Sequence, residues 1–149
     1  MKIRIVIPDQ NTIAAKLGVN KSGIAQLFHT TNVLRHMQKY MPMQTGMFST
    51  KQTTITSPTT ITTRAVQAYY LYYGKRMVNA KTGKGAFYIP GVGWRHKKGA
   101  VLVATNEDLH YTRTFHPLAG AFWDRRMMAA EGDVVAAELK AFIERTAKK

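Results

Sequence analysis

The residue types best suited to chemistry or binding cluster between Ala68 and Gly99, where aromatic and basic side chains interleave. Tyr69, Tyr70, Tyr72 and Tyr73 run up to Gly74, and Lys75-Arg76 follow at once. Lys81, Lys84, Phe87, Tyr88, Trp94, Arg95, Lys97 and Lys98 come next, separated by several glycines. Aromatic faces beside cations can stack on the bases of a single strand while the cations track its phosphates. The same composition suits an anchored loop on a neighbouring subunit, because Tyr, Trp and Arg are enriched at protein interfaces. Both readings stand on the residues alone. Either way the tyrosine block is a rigid base, and residues 75–99 are a mobile loop or hairpin arm carried on it.

Catalytic groupings are sparse. Glu107-Asp108 is the one adjacent carboxylate pair, and neighbours in an extended chain point apart. Glu131 and Asp133 lie two apart on a helix and do not share a face. A two-metal nuclease needs convergent carboxylates, and the spacing offers none. His29 and His36 are seven apart on a helix, two turns from each other, and need a third ligand to hold a metal. His96, His110 and His116 are scattered and read as surface or hydrogen-bonding histidines. Ser22, Ser49 and Ser57 lack a nucleophile-elbow context. Lys81-Thr82-Gly83-Lys84-Gly85 lacks the glycine spacing, the Lys-Ser/Thr ending and the strand–helix setting of a phosphate loop. The expectation is a protein without catalysis, metal or cofactor.

Charge is distributed unevenly. Residues 1–9 carry two basic and one acidic side chain; residues 10–106 carry thirteen Lys and Arg with no Asp or Glu; residues 107–149 carry seven of each sign. The net charge of +14 therefore arises wholly in the first two-thirds. Self-repulsion of this kind destabilises a compact state unless an anionic partner neutralises it, and nucleic acid is the usual one. The alternative is a solvated basic face that serves solubility.

The elements that must position these residues follow from pattern. At 149 residues the chain reads as one domain, 1–149. No apolar run approaches the roughly 20 residues that span a bilayer. The absence of cysteine excludes disulfides and thiolate sites and suits a cytosolic protein. Lys2 to Ile7 alternates as a half-buried strand, without the apolar region of a signal peptide. Asn11 to Leu17 predicts a short helix closed by Gly18. Ser22 to Tyr40 predicts the first long helix, capped by Asn20 or Ser22, with Ile24, Leu27, Phe28, Leu34, Met37 and Met41 on its apolar stripe. Pro42 stops it, and Thr45-Gly46 turns.

Threonines from Met47 to Thr63, with Ile55 and Ile61 flanking Ser57-Pro58, predict a hairpin; the alternative is a polar loop. Val66, Tyr69, Tyr70 and Tyr73 predict a short helix ending at Gly74. Phe87–Pro90 and Ala100–Ala104 are expected to pair as strands, and Leu109–Phe115 to be extended. Pro117 is expected to open the last helix, with Phe122, Trp123, Met127, Ala130, Val134, Ala137 and Ala141 as its apolar stripe. Val135, Leu139, Phe142 and Ile143 extend that stripe. Gly132 allows a bend or a split, and Lys148-Lys149 are expected to fray.

Several blocks, in order, resemble the minor capsid proteins of long-tailed bacteriophages encoded in the head–tail connector module. They are Val33-Leu34-Arg35-His36-Met37, Tyr40-Met41-Pro42 with Thr45-Gly46, Leu71-Tyr72-Tyr73-Gly74, Lys81-Thr82-Gly83-Lys84-Gly85-Ala86-Phe87, and Pro117-Leu118-Ala119-Gly120 followed by Trp123-Asp124-Arg125-Arg126-Met127. The family's Pro-Tyr-Ala step is absent; Val66-Gln67-Ala68-Tyr69-Tyr70 stands in its place.

The resemblance implies an α+β subunit, with long N- and C-terminal helices packed beside a small antiparallel sheet and an extended basic loop. It implies a structural role in the virion neck, in a ring of copies between portal and tail, made in the host cytoplasm. The partners implied are other copies, adjacent portal-side, neck and tail proteins, and phage DNA, with no membrane. On that view Lys75, Arg76, Lys81, Lys84, Arg95, Lys97 and Lys98 face the DNA channel. Tyr69, Tyr72, Tyr73 and Trp94 anchor the subunit interface, and Phe122 and Trp123 are core. The competing expectations are a free basic nucleic-acid-binding protein and a small hydrolase or nuclease.

Overall fold

A computed structural model of the chain describes residues 2–6, 23–43, 46–65 and 67–147. Alternation works as expected in β1 (Lys2–Val6): Ile3 is buried while Lys2 and Arg4 are exposed. The threonine-rich stretch forms the hairpin β2 (Thr53–Ser57) and β3 (Thr60–Arg64), and the three strands make an antiparallel sheet in the order β1-β3-β2. Central β3 is buried from Thr60 to Thr63. Threonines tolerate that position because their hydroxyls bond across the strands, Thr53 to Thr63 and Thr56 to Thr62, each at 2.9 Å.

The helices are α1 (Ile24–Gln38), α2 (Met47–Thr50), α3 (Ala68–Tyr73) and α4 (Trp123–Ala147). The fold is thus mixed α+β, with a small antiparallel sheet and a C-terminal helix. Met37, Met41, Phe48, Ile61, Ala68, Tyr72, Trp123, Met127 and Val135 meet in the core. The helix α1 lies along α4, where Phe28 and Phe142 stack at 4.1 Å.

The inward face of α1 differs from the apolar stripe read in the sequence. Ile24 and Leu27 are 54% and 47% exposed, whereas Gln26, Thr30, Asn32 and His36 are buried beside Val33 and Met37. The rotation is possible because polar partners wait for most of the buried polar side chains. Thr30 donates to Pro58 O, and Asn32 and His36 meet carboxylates on α4.

The helix α4 starts at Trp123, later than Pro117 suggests. Pro117 sits in a turn closed by the Ala119 amide on His116 O at 3.0 Å. Beyond it the Gly120 and Phe122 amides bond Tyr40 O (3.2 Å) and Tyr72 O (2.9 Å), which holds the backbone off a helical path. Phe122 has φ 48°, the one non-glycine positive φ among the described residues. Once begun, α4 runs as a single helix of 25 residues through Gly132. Its stripe is also shifted: Val135, Leu139 and Ile143 are buried, while Val134, Ala130, Ala137 and Ala141 are exposed.

The basic arm forms two strand pairs. β4 (Lys75–Asn79) pairs antiparallel with β7 (Leu102–Asp108), and β5 (Phe87–Ile89) with β6 (Gly93–Arg95). The expected pairing of Phe87–Pro90 with Ala100–Ala104 is replaced because Pro90-Gly91 turns the chain tightly. The Val92 amide returns to Ile89 O at 3.0 Å, and Gly91 supplies the φ of 77°. Residues 109–115 carry no strand.

The helix expected at Asn11–Leu17 with Gly18, the caps Asn20 and Ser22, Thr45, Val66, and the fraying of Lys148-Lys149 lie outside the described residues. Gly23 stands as N-cap of α1. Among the described residues no helix is long and apolar enough to cross a membrane.

Candidate functional site

The tyrosine block becomes α3, ended by Gly74 at φ 70° with its amide on Tyr70 O at 2.8 Å. Helical spacing then sorts the rings. Tyr72 turns inward, packs edge-on against Trp123 at 5.0 Å and Phe122 at 5.2 Å, and donates its hydroxyl to Asp124 Oδ1 at 2.9 Å. Burial first, and the bond to the Asp124 carboxylate second, push its phenol up to about 12. Tyr72 therefore serves this chain's own core. Trp123 is fully buried, as expected of a core residue.

Tyr69 and Tyr73 turn outward, each 42% exposed, with ring centres 4.7 Å apart. They border an open groove of about 550 Å³ that Leu109, Tyr111 and Phe122 also line. Tyr111 donates its hydroxyl to Leu71 O at 2.5 Å, and burial pushes that phenol up to about 12 as well. Trp94 belongs to β6, and the anchor role expected of its ring lies outside the described side chains.

The cations of the arm fall into two groups. At the core end of the β4–β7 sheet, Lys75 Nζ is 2.6 Å from Asp108 and Arg76 is 2.6 Å from Glu107. The adjacent carboxylates point apart, as an extended chain requires, so each takes its own cation. The Lys75 bond holds the Asp108 carboxyl below its usual range. At the far end, Lys81, Lys97 and Lys98 line a recess of about 200 Å³ with Asn79, and Lys84 stands in the same turn. No ion pair to Lys81, Lys84, Lys97 or Lys98 exists among the described residues. Arg95 lies exposed in the separate β5–β6 hairpin.

A second polar cluster went unread in the sequence. Glu131 and Glu138, seven residues and two turns apart on α4, take the two ring nitrogens of buried His36, Nδ1 facing Glu131 and Nε2 lying 2.8 Å from Glu138. Lys39 (2.6 Å) and Tyr40 (2.9 Å) also donate to Glu131, and Asn32 (2.5 Å) and Arg35 (2.9 Å) to Glu138. Both carboxyls are held down at about 2: Glu131 chiefly by Lys39 and then His36, Glu138 chiefly by Asn32 and then His36. The signal was there, since Glu131 continues the Trp123–Met127–Val135 ladder at steps of four. A charged side chain is readily left out of an apolar stripe.

The cluster clamps α1 to α4 and leaves no ring nitrogen for substrate. His29 lies apart from it, its pKa lowered by burial, and His116 donates to Met41 O at 2.8 Å. No group of three or more His, Cys, Asp and Glu able to hold a metal occurs among the described residues. Comparison of the chain with protein-family models, with curated proteins and with solved structures finds no match.

Proposed function

We propose that the chain is a structural subunit of the neck of a long-tailed bacteriophage, one of a ring of copies joining the head at its portal to the tail around the DNA channel. It carries out no catalysis and needs no cofactor. The single observation that carries this reading is the polarity of the β4–β7 sheet. One end borders an exposed aromatic groove at Tyr69 and Tyr73, and the other presents lysines without an ion pair among the described residues. A ring subunit needs both, an adhesive edge for its neighbours and a basic edge for the DNA that passes. The order of the sequence blocks shared in kind with phage minor capsid proteins supports the same reading.

The test is electron microscopy of particles from a lysate lacking this gene. Separate heads and tails, with heads full or leaking DNA, are the expected result. Normally joined, infectious particles would overturn the neck role. The second reading, a free basic nucleic-acid-binding protein, is favoured by the lysine recess and would then stand first. Within the neck reading, replacing Lys97 and Lys98 by Glu lowers phage titre while the subunit stays folded.

A further inference from the structure

We infer that the recess at the far end of the β4–β7 sheet binds the phosphodiester backbone of nucleic acid through Lys81, Lys97 and Lys98, and that Lys75 and Arg76 take no part. The inference deepens the DNA-facing part of the reading above and rests on it. It divides the basic arm into a binding end and a structural end.

The geometry of two turns makes the site. Asn79 pairs with Leu102, so the turn leaving β4 and the turn entering β7 lie side by side, joined by the Ala80 amide on Val101 O at 2.8 Å. On one side Asn79 Oδ1 accepts the Lys81 amide at 2.8 Å and Asn79 O accepts the Gly83 amide at 2.8 Å. On the other the Ala100 amide reaches Lys97 O at 3.0 Å, a turn that needs the φ of 77° at Gly99. Three lysines therefore line one recess of about 200 Å³, and no carboxylate lines it among the described residues.

Charge decides the ligand. Asp108 and Glu107 are taken by Lys75 and Arg76 at the other end of the strand, four residues or about 13 Å from Asn79. Like charges held together without counter-ions repel, and a bridging anion removes that penalty. Among the described residues the lining has no aromatic ring to stack a base and no planar guanidinium to read a base edge. What remains is contact with phosphate oxygens, which gives affinity without sequence preference.

The test is the salt dependence of binding to a short, labelled duplex of mixed sequence, read by fluorescence anisotropy. Three proteins are compared, with folding checked by circular dichroism: the unaltered chain, Lys81→Gln/Lys97→Gln/Lys98→Gln, and Lys75→Gln/Arg76→Gln. The triple variant is expected to lose at least tenfold in affinity at low salt. Its slope of log K against log salt should be shallower by about 2.7, three phosphate contacts at about 0.9 each. The double variant should keep the unaltered slope. An unchanged slope and affinity in the triple variant, or an equal loss in the double variant, would overturn the assignment.

Titration with inorganic phosphate separates a free anion from a nucleic-acid backbone. One-to-one phosphate binding that the triple variant loses, with duplex binding intact, would also overturn it. The neck role fails or stands separately. Joined particles without the gene remove that role and leave the recess untouched, and an unchanged salt slope removes the recess and leaves the neck.

Discussion

Glu138 Oε2 lies 2.8 Å from His36 Nε2, although 102 residues separate the two in the chain. The contact is one of a set. Arg35 on α1, Lys39 at its C-cap, and Lys75 and Arg76 on β4 all draw their counter-charges from carboxylates at positions 107, 108, 131 and 138. The acid-free two-thirds of the chain is thus neutralised in part by the last third, through contacts that also fix the tertiary structure.

Removing the ring at the centre of the clamp should therefore cost stability. His36→Ala leaves Glu131 and Glu138 each short of a hydrogen-bond partner at a largely buried interface. The expected loss is about 2 kcal/mol, less than the roughly 3–5 kcal/mol of a fully broken buried pair, because Lys39, Asn32 and Arg35 remain. Urea unfolding measures it, and a loss under 0.5 kcal/mol, roughly the noise of a surface change, would show that the cluster does not clamp the helices.

The same cluster sets the acid limb of stability. Glu131 and Glu138 are held at about 2 in the folded protein, below their usual 4.5. Depressed carboxyls contribute stability that is fully present above pH 4.5 and is lost as pH falls through 2. The thermal midpoint should decline across that window. In Glu131→Gln/Glu138→Gln the decline should be flatter, and an identical acid limb in the variant would refute the assignment.

Two glycines with similar backbone angles should respond differently to alanine. At Gly74, φ 70°, an added Cβ meets Ala121 Cβ at 2.9 Å and the Tyr111 hydroxyl at 3.1 Å. At Gly91, φ 77°, nothing lies within 4 Å. Gly91→Ala should cost only the left-handed backbone term, about 1 kcal/mol. Gly74→Ala adds a clash between α3 and the segment before α4 and should cost roughly twice that or more. Equal losses in chemical denaturation would contradict the packing described around Gly74.

Alkaline titration reports on the buried rings. The phenols of Tyr72 and Tyr111 stand at about 12 in the folded chain, above the usual 10.0. A group whose folded value is raised contributes stability that is present below pH 10 and is lost as pH rises through 12. In absorbance at alkaline pH Tyr72 and Tyr111 should stay largely protonated at pH 11 while the fold persists. Tyr72→Phe should remove one of them and destabilise by about 1 kcal/mol through loss of the Asp124 bond.

Much of the architecture was legible because local rules decided it. Alternation marked β1, threonine and the Ser57-Pro58 turn marked the β2–β3 hairpin, and Gly74 ended the tyrosine helix. The two helix faces were misread for one reason. Gln26, Thr30, His36, Glu131 and Glu138 occupy inward positions that hydrophobicity assigns to apolar residues, and polar partners make those positions tolerable: Gln26 bonds Thr30, Thr30 bonds Pro58 O, and His36 meets the two carboxylates about a hundred residues away. The strand pairing of the arm was misread because Pro90-Gly91 folds β5 onto its immediate neighbour, leaving β7 to β4. The arm's cations were visible as a group, but their division into paired and unpaired ends depends on the register of Lys75 with Asp108.

The placement of the carboxylates also bears on the order in which the chain is made. Residues 1–106 leave the ribosome with one carboxylate among fifteen basic side chains, before any of the four acids that later face them. The helix α1 cannot complete its seam until Glu131 and Glu138 have emerged, late in synthesis. Its docking is thus bound to a loop closure of about a hundred residues, and chains of such high contact order close slowly. A nascent chain stalled before α4 holds sixteen basic side chains against three acidic ones, whereas the finished one carries further counter-ions across the α1–α4 seam.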